Sequence, residues 1–243
     1  MRSIDAIINA IDHRPWELPA TRWTYCQEWN RALFLHWKVP QDLLRPLVPP
    51  GLELDMHNSE TWVSLVAFTM EQIRPRGLPA VGFVSNFEEI NLRTYVRVDN
   101  KPGVYFLSIE AGNGLFAFIA RNLSGLPYET AAMLRRNGAN QPYTSINKRR
   151  DFQLQASFKI GSGQSQKSAL DHFLTEKYCL YLQKGNTIYR YDIHHRPWNL
   201  YTVEQLQLKV AYRVGGIALS DQPDIVHYSD GVQVLAWNKV PVV

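Results

Sequence analysis

Glu89, Asn91, Arg93 and Tyr95 occupy alternate positions of one short run. In an extended strand that spacing turns all four side chains to one face and sends Ile90, Leu92, Thr94 and Val96 to the other. A carboxylate, an amide, a guanidinium and a phenol on one wall can bind a small carboxylate or carbonyl compound and move a proton on it. The same face can instead meet water on a half-exposed strand, or satisfy itself as a buried polar network. Periodicity alone favours the solvated strand. His36 stands between Leu35 and Trp37 in an apolar run, where a lone histidine is more often a hydrogen-bonded core residue than a ligand group. His194 and His195 invite a metal reading, yet neighbours on a strand face opposite sides and cannot readily chelate one ion together. No Cys-x-x-Cys cluster, Gly-rich phosphate loop or Gly-x-Ser-x-Gly elbow is present, so neither a metal nor a cofactor is expected.

The elements that must carry these groups read as strands. Trp62–Met70, Leu92–Val98, Val104–Glu110, Phe116–Ala120, Phe152–Ile160, Tyr178–Leu182, Thr187–Ile193, Leu206–Val214 and Val232–Trp237 show period-two character, and the apolar run Leu33–Trp37 is also expected in the sheets. Turn signals separate them at 99–103, 113–114, 161–163 and 184–186; Asn113-Gly114 is the sharpest, because both residues tolerate positive φ. Helical patterns are few. Pro40–Leu47 opens on a proline, Ser168–Glu176 opens on a capping serine, and Asp5–Ile11 is a third. Many short strands with few helices point to a closed barrel, which removes exposed edges.

Composition narrows the function classes. The chain has 243 residues, with hydrophobic residues at 45% and charged residues at 20%, the balance of an ordinary globular protein. No repeat or linker divides it, so residues 1–243 are read as one domain. The longest apolar stretches are too short to cross a bilayer, and Asp5 and Asp12 interrupt the opening segment, so a cytoplasmic protein with no membrane partner is expected. The net charge of +4 is modest, and the clusters Arg135-Arg136 and Lys148-Arg149-Arg150 are short, which argues against nucleic acid. Cys26 and Cys179 read as two buried thiols. A homo-oligomer is compatible with all of this.

Several phrases together resemble a known family. They are Arg14-Pro15-Trp16, Leu33-Phe34-Leu35-His36-Trp37, Leu47-Val48-Pro49-Pro50-Gly51-Leu52, Phe87 to Val96, Gly103-Val104-Tyr105-Phe106, Ala120-Arg121, Gly125-Leu126-Pro127-Tyr128, Phe173 to Tyr178 and His194-His195-Arg196-Pro197-Trp198. The chain resembles the YqjF-like family of uncharacterised conserved bacterial proteins, a branch of the acetoacetate decarboxylase-like superfamily. The resemblance implies a mainly β fold, a β-barrel of double-cone form with a few short helices and an internal pocket. It also places Glu89 in the cavity. In the decarboxylase signature an Arg, a Gly and a Pro precede two consecutive lysines, the first of which forms a Schiff base. Arg121, Gly125 and Pro127 fit that signature, but Tyr128 and Glu129 stand where the lysines would be. A phenol cannot form an imine, so the resemblance implies a binding barrel without decarboxylase chemistry. A second acidic position of the decarboxylase pocket falls on Ser64. The expected site is therefore Glu89 and Tyr128 as acid–base groups, with Asn91, Arg93, Tyr95, Arg121, His36 and Ser64 contacting a small carboxylate or carbonyl ligand. The alternative to a binder is a lyase, hydratase or isomerase acting on a keto acid or enolisable carbonyl compound.

Overall fold

The computed structural model describes residues 4–114, 117, 125–136, 138 and 140–242. In chain order these form α1 (Ile4–Ile8), β1 (Tyr25–Val39), α2 (Gln41–Leu44) with a 3-10 turn at Arg45–Leu47, β2 (Glu53–Leu54), β3 (Thr61–Pro75), α3 (Gly82–Ser85), β4 (Phe87–Val98) and β5 (Lys101–Ala111). Then come β6 (Tyr128–Thr130), β7 (Ala132–Arg135), β8 (Tyr143–Asn147), β9 (Phe152–Gly163), α4 (Ala169–Thr175), β10 (Cys179–Lys184), β11 (Thr187–His195) and β12 (Tyr201–Ala211). The chain ends with β13 (Arg213–Val214), β14 (Ile217–Ala218), β15 (Ile225–Ala236) and β16 (Val240–Pro241). The fold is mainly β, and none of its described helices is long and apolar enough to cross a membrane.

Seven strands close on themselves. Pairing runs β11–β10–β5–β4–β3–β1–β15, and β15 returns to β11 through Ile193↔Ala236, His194↔Leu235 and His195↔Val234. The β5–β10 step is parallel, through Leu180↔Val104 and Tyr181↔Tyr105. Gly103 permits that approach, since a Cβ there would lie 2.6 Å from the Cys179 carbonyl oxygen. A second wing, β12–β9–β8–β7, continues from β15 and folds over the outer side of β1, β3 and β4.

Strands β1, β3 and β4 therefore separate two cores. Phe34, Val66, Phe68, Met70, Phe87 and Ile109 face the closed barrel. Leu33, Leu35, Val63, Leu65, Ile90 and Leu92 face the other way, against Tyr143, Leu154, Phe158 and Tyr212 of the wing. Burial on both faces explains why every residue of Thr61–Met70 is buried and why the polar alternation of β4 is not a solvated face. Bulges between Asn30 and Leu33 of β1 and between Leu92 and Arg93 at the β4–β5 pairing add the twist that closure needs.

The turn at Asp99-Asn100 joins β4 to β5 with positive φ at both residues, the two-residue hairpin geometry that this pair of side chains tolerates best. Two turn expectations fail. Gly161-Ser162-Gly163 lies inside β9, where Gly161 makes room for Thr202 and Glu204 of β12 rather than turning the chain. Asn113-Gly114 is not a hairpin: the Ala117 amide donates to the Asn113 carbonyl at 2.9 Å, a helical turn. Asparagine suits the start of a helix as well as a hairpin, so the dipeptide alone is ambiguous. That helical turn takes Ala117 out of the expected strand Phe116–Ala120, whose other residues lie outside the described ones. Cys26 and Cys179 are both buried and free.

Candidate functional site

Strand β4 presents Glu89, Asn91, Arg93 and Tyr95 to the closed barrel, and all four are buried, with Glu89 3% exposed and Tyr95 fully covered. Tyr128 reaches the same interior from β6, because the parallel pairing Ile109↔Tyr128 sets its side chain on the barrel side. Its hydroxyl donates to Glu89 Oε2 at 3.0 Å, and Asn91 Nδ2 lies 3.4 Å from Glu89 Oε1. Among the described residues no ion pair includes Glu89, and Arg93 turns instead toward the Leu174 carbonyl, at 3.4 Å. Burial pushes the Glu89 carboxyl up to about 7, while the hydrogen bonds from Tyr128 and Asn91 pull the other way. Burial also drives the Tyr128 hydroxyl well above its ordinary range, reinforced by the charge of Glu89.

Two polar atoms beside this pair, Arg93 Nε and Asn91 Oδ1, are buried with no hydrogen-bond partner among the described residues, as is Trp29 Nε1. Aromatic side chains complete the wall. Phe34 and Trp198 meet edge to face at 5.1 Å, Trp29 stacks on Trp198 at 6.2 Å, and Trp29 lies 5.7 Å from Phe68. The guanidinium carbon of Arg93 sits 5.8 Å from the centre of the Phe34 ring. The arrangement combines a neutral-range carboxyl, a phenol, an under-used cation and flat apolar walls.

His36 and Ser64 are buried on the same side but bond to each other, with Nδ1 2.6 Å from Oγ. Ser64 also meets the Tyr95 hydroxyl at 2.5 Å, and Tyr95 donates to the Leu174 carbonyl of α4 at 2.8 Å. Arg121 lies outside the described residues. Glu129, next to Tyr128 on β6, points away from the barrel and meets Arg150 Nε at 3.0 Å. His194 and His195 diverge: His194 meets the Ile7 carbonyl at 2.9 Å, while His195 meets that of Arg196 at 2.8 Å. Among the described residues no group of three His, Cys, Asp or Glu side chains is placed to hold a metal. Two surface cavities, of about 560 Å³ beside α1 and about 250 Å³ along β8 and β9, contain none of the candidate residues.

Three buried polar groups escaped the sequence reading. His227 of β15 meets His36, Lys177 after α4 pairs with Asp55 at 2.9 Å, and Glu110 accepts from Tyr212 at 2.6 Å in the second core. His227 lies upstream of the strand expected at Val232–Trp237, Lys177 stands between two expected elements, and Glu110 ends the expected strand Val104–Glu110 with no partner in sequence.

A family model described as an uncharacterized conserved protein, DUF2071, matches residues 26–233. The chain belongs to this family. It is 37% identical over 225 residues to the uncharacterized protein YqjF of Bacillus subtilis (strain 168), covering 90% of this chain and 93% of that one. Solved structures share the fold at low identity. The acetoacetate decarboxylase of Legionella pneumophila superposes with a TM-score of 0.61 at 16% identity, covering 94% of this chain and 93% of that one. The enduracididine biosynthesis enzyme MppR complexed with pyruvate gives 0.60 at 12% identity, again with 94% and 93% covered. The fold is thus acetoacetate decarboxylase-like, and in this chain Tyr128 of β6 stands in the barrel beside Glu89.

Proposed function

We propose that the barrel binds a small carboxylate- or carbonyl-bearing molecule, and that Glu89 and Tyr128 move a proton on it, as a lyase, hydratase or isomerase of an enolisable compound does. The observation that supports this reading is the Tyr128–Glu89 hydrogen bond, with no cation on the carboxylate among the described residues. A carboxyl of pKa about 7 is divided between acid and base forms near neutral pH, the condition in which proton transfer is most effective. In the base form Glu89 takes the proton from the carbon next to a carbonyl. The C–H electron pair moves into the new C=C bond, and the carbonyl oxygen gathers the charge, where the Tyr128 O–H stabilises it. Arg93, whose Nε has no partner among the described residues, takes the ligand carboxylate, and Asn91 Oδ1 accepts from a donor on the ligand. Trp29, Phe34 and Trp198 cover its flat body. An imine is not part of this chemistry, because Tyr128 stands where the superfamily lysine would. The reading places the protein in the cytoplasm, where two buried thiols stay reduced.

Pyruvate is the first test ligand, since the structural neighbour MppR has been seen with it. Methyl-proton exchange of pyruvate in deuterium oxide, followed by proton NMR, should be accelerated by the protein and fall about 100-fold or more in Glu89→Gln. Borohydride added to the mixture should leave the intact mass unchanged. Tight pyruvate binding without exchange would reduce the proposal to a binding barrel, and a stoichiometric adduct on a lysine would overturn it.

A further inference from the structure

A line of five side chains runs from the surface into the barrel. Asp171 Oδ1 of α4 meets His227 Nε2 at 2.9 Å; His227 Nδ1 meets His36 Nε2 at 3.2 Å; His36 Nδ1 meets Ser64 Oγ at 2.6 Å; and Ser64 Oγ meets the Tyr95 hydroxyl at 2.5 Å. Tyr95 then reaches the Leu174 carbonyl, the same oxygen that Arg93 approaches. The four inner members are buried, with His36 and Ser64 fully covered, while Asp171 keeps contact with solvent. We propose that Asp171, His227, His36, Ser64 and Tyr95 form a relay that takes up one proton from the Asp171 end and, when loaded, fixes Tyr95 and Arg93 on the Leu174 carbonyl. The part played by Arg93 rests on the binding reading above; the proton uptake does not.

The argument is a count of hydrogens. The line has five contacts, each of which needs one hydrogen. Asp171 is ionised and the Leu174 carbonyl can only accept, so neither supplies one. Tyr95, Ser64, neutral His36 and neutral His227 bring one each. The neutral line is therefore one hydrogen short. With His227 donating to Asp171 and each hydrogen pointing outward in turn, the shortfall lands on Tyr95, which bonds either Ser64 or Leu174 but not both. Two oxygens would then face each other across a short gap inside a dry barrel, with the Arg93 guanidinium beside both but no hydrogen between them. One added proton completes every contact: His227 carries hydrogens on both nitrogens beside the Asp171 carboxylate, and each remaining hydrogen points inward to Leu174.

Charges from the surrounding elements act on both sides of this balance. Arg93 of β4 opposes a charge on His36, and Lys167, ahead of α4, opposes one on His227. Lys177 lies 5.3 Å from the centre of the Tyr95 ring, with Asp55 beside its ammonium group, and Glu176 holds Lys167. Asp171 favours the added proton, and burial opposes it at both histidines. Against this background the missing hydrogen distinguishes a relay from an ordinary buried pair of imidazoles.

The test uses the full chain labelled with nitrogen-15 in its histidines. The ring nitrogens of His36 and His227 are followed by NMR between about pH 5 and about pH 9. In Tyr95→Phe two contacts and one hydrogen disappear, so three contacts remain for three hydrogens and no proton is wanted. Ser64→Ala also leaves three contacts and three hydrogens, and keeps the test open should Tyr95→Phe fail to fold. The expected result is uptake of a single proton by the wild-type pair, with a midpoint at least about one pH unit above that of either variant. Tyr95 is uncharged and touches neither histidine, so a purely structural role would leave the Tyr95→Phe midpoint where it was, and Ser64→Ala, which also removes a direct partner of His36, should match it. Equal midpoints in the wild type and the folded variants, or two protons taken up independently, would overturn the relay. Because no ligand is present, failure here is separate from failure of the pyruvate experiment.

Discussion

Replacing Glu89 by Gln should stabilise the protein at alkaline pH and leave it nearly unchanged in acid. Glu89 is buried, and its carboxyl rises from 4.5 to about 7 on folding. Below about pH 4.5 both folded and unfolded chains hold this proton, so ionisation of Glu89 costs nothing. As the pH rises toward 7 the unfolded chain releases the proton first, and native stability falls. The shift spans roughly 2.5 pKa units at about 1.36 kcal/mol each, so the loss approaches about 3 kcal/mol and is complete above about pH 8. Glutamine keeps the shape, still accepts from Tyr128, and cannot ionise. For a chain of this size, about 3 kcal/mol corresponds to a rise in Tm of about 6–12 °C. Paired thermal melts of wild type and Glu89→Gln, from about pH 4 to about pH 9, should show Tm curves that coincide in acid and separate by this amount in base. A constant offset at every pH, or a variant less stable in base, would refute the claim that burial raises the Glu89 carboxyl.

Tyr128→Phe removes a hydrogen bond that favours the ionised carboxylate, so the rising limb of the pyruvate exchange–pH profile should move to higher pH; an unchanged limb would contradict the contact. Ser168→Ala removes the reciprocal cap of α4, in which Ser168 accepts from the Asp171 amide at 3.1 Å, and should cost about 1 kcal/mol, read by denaturant melts. Asp55→Ala strands the buried Lys177 ammonium and should cost about 3 kcal/mol or more at neutral pH, with partial recovery at alkaline pH as Lys177 loses its proton.

The strands were legible from their local residue pattern and where the turn chemistry is explicit. Leu33–Trp37 falls within β1, Leu92–Val98 within β4, and the Asp99-Asn100 and Gly185-Asn186 turns both join adjacent antiparallel strands. The cap on Ser168 was legible because it depends on neighbours in sequence. The environment of β4 was not. A polar–apolar alternation looks the same whether its polar face meets water or a closed barrel, and only the family resemblance favoured the barrel. His227 and Asp171 were illegible for another reason: they join His36 from sequence distances of 191 and 135 residues, across strand closures that no local pattern records. The contact of Tyr128 with Glu89 likewise depends on the short parallel pairing of β5 with β6.

The strands shared by the two cores make neighbouring residues belong to different rooms. On β4, Glu89 answers to the barrel and Ile90 to the wing, and the assignment alternates along the strand. Point changes can therefore remodel one compartment while the other keeps its packing. A single inserted residue within β4 has the opposite effect. It would reverse the parity of every position beyond it, setting Leu92 and Val96 toward the barrel interior and Arg93 and Tyr95 into the apolar core under the wing. The partition tolerates substitution on either side, but its register admits no slack.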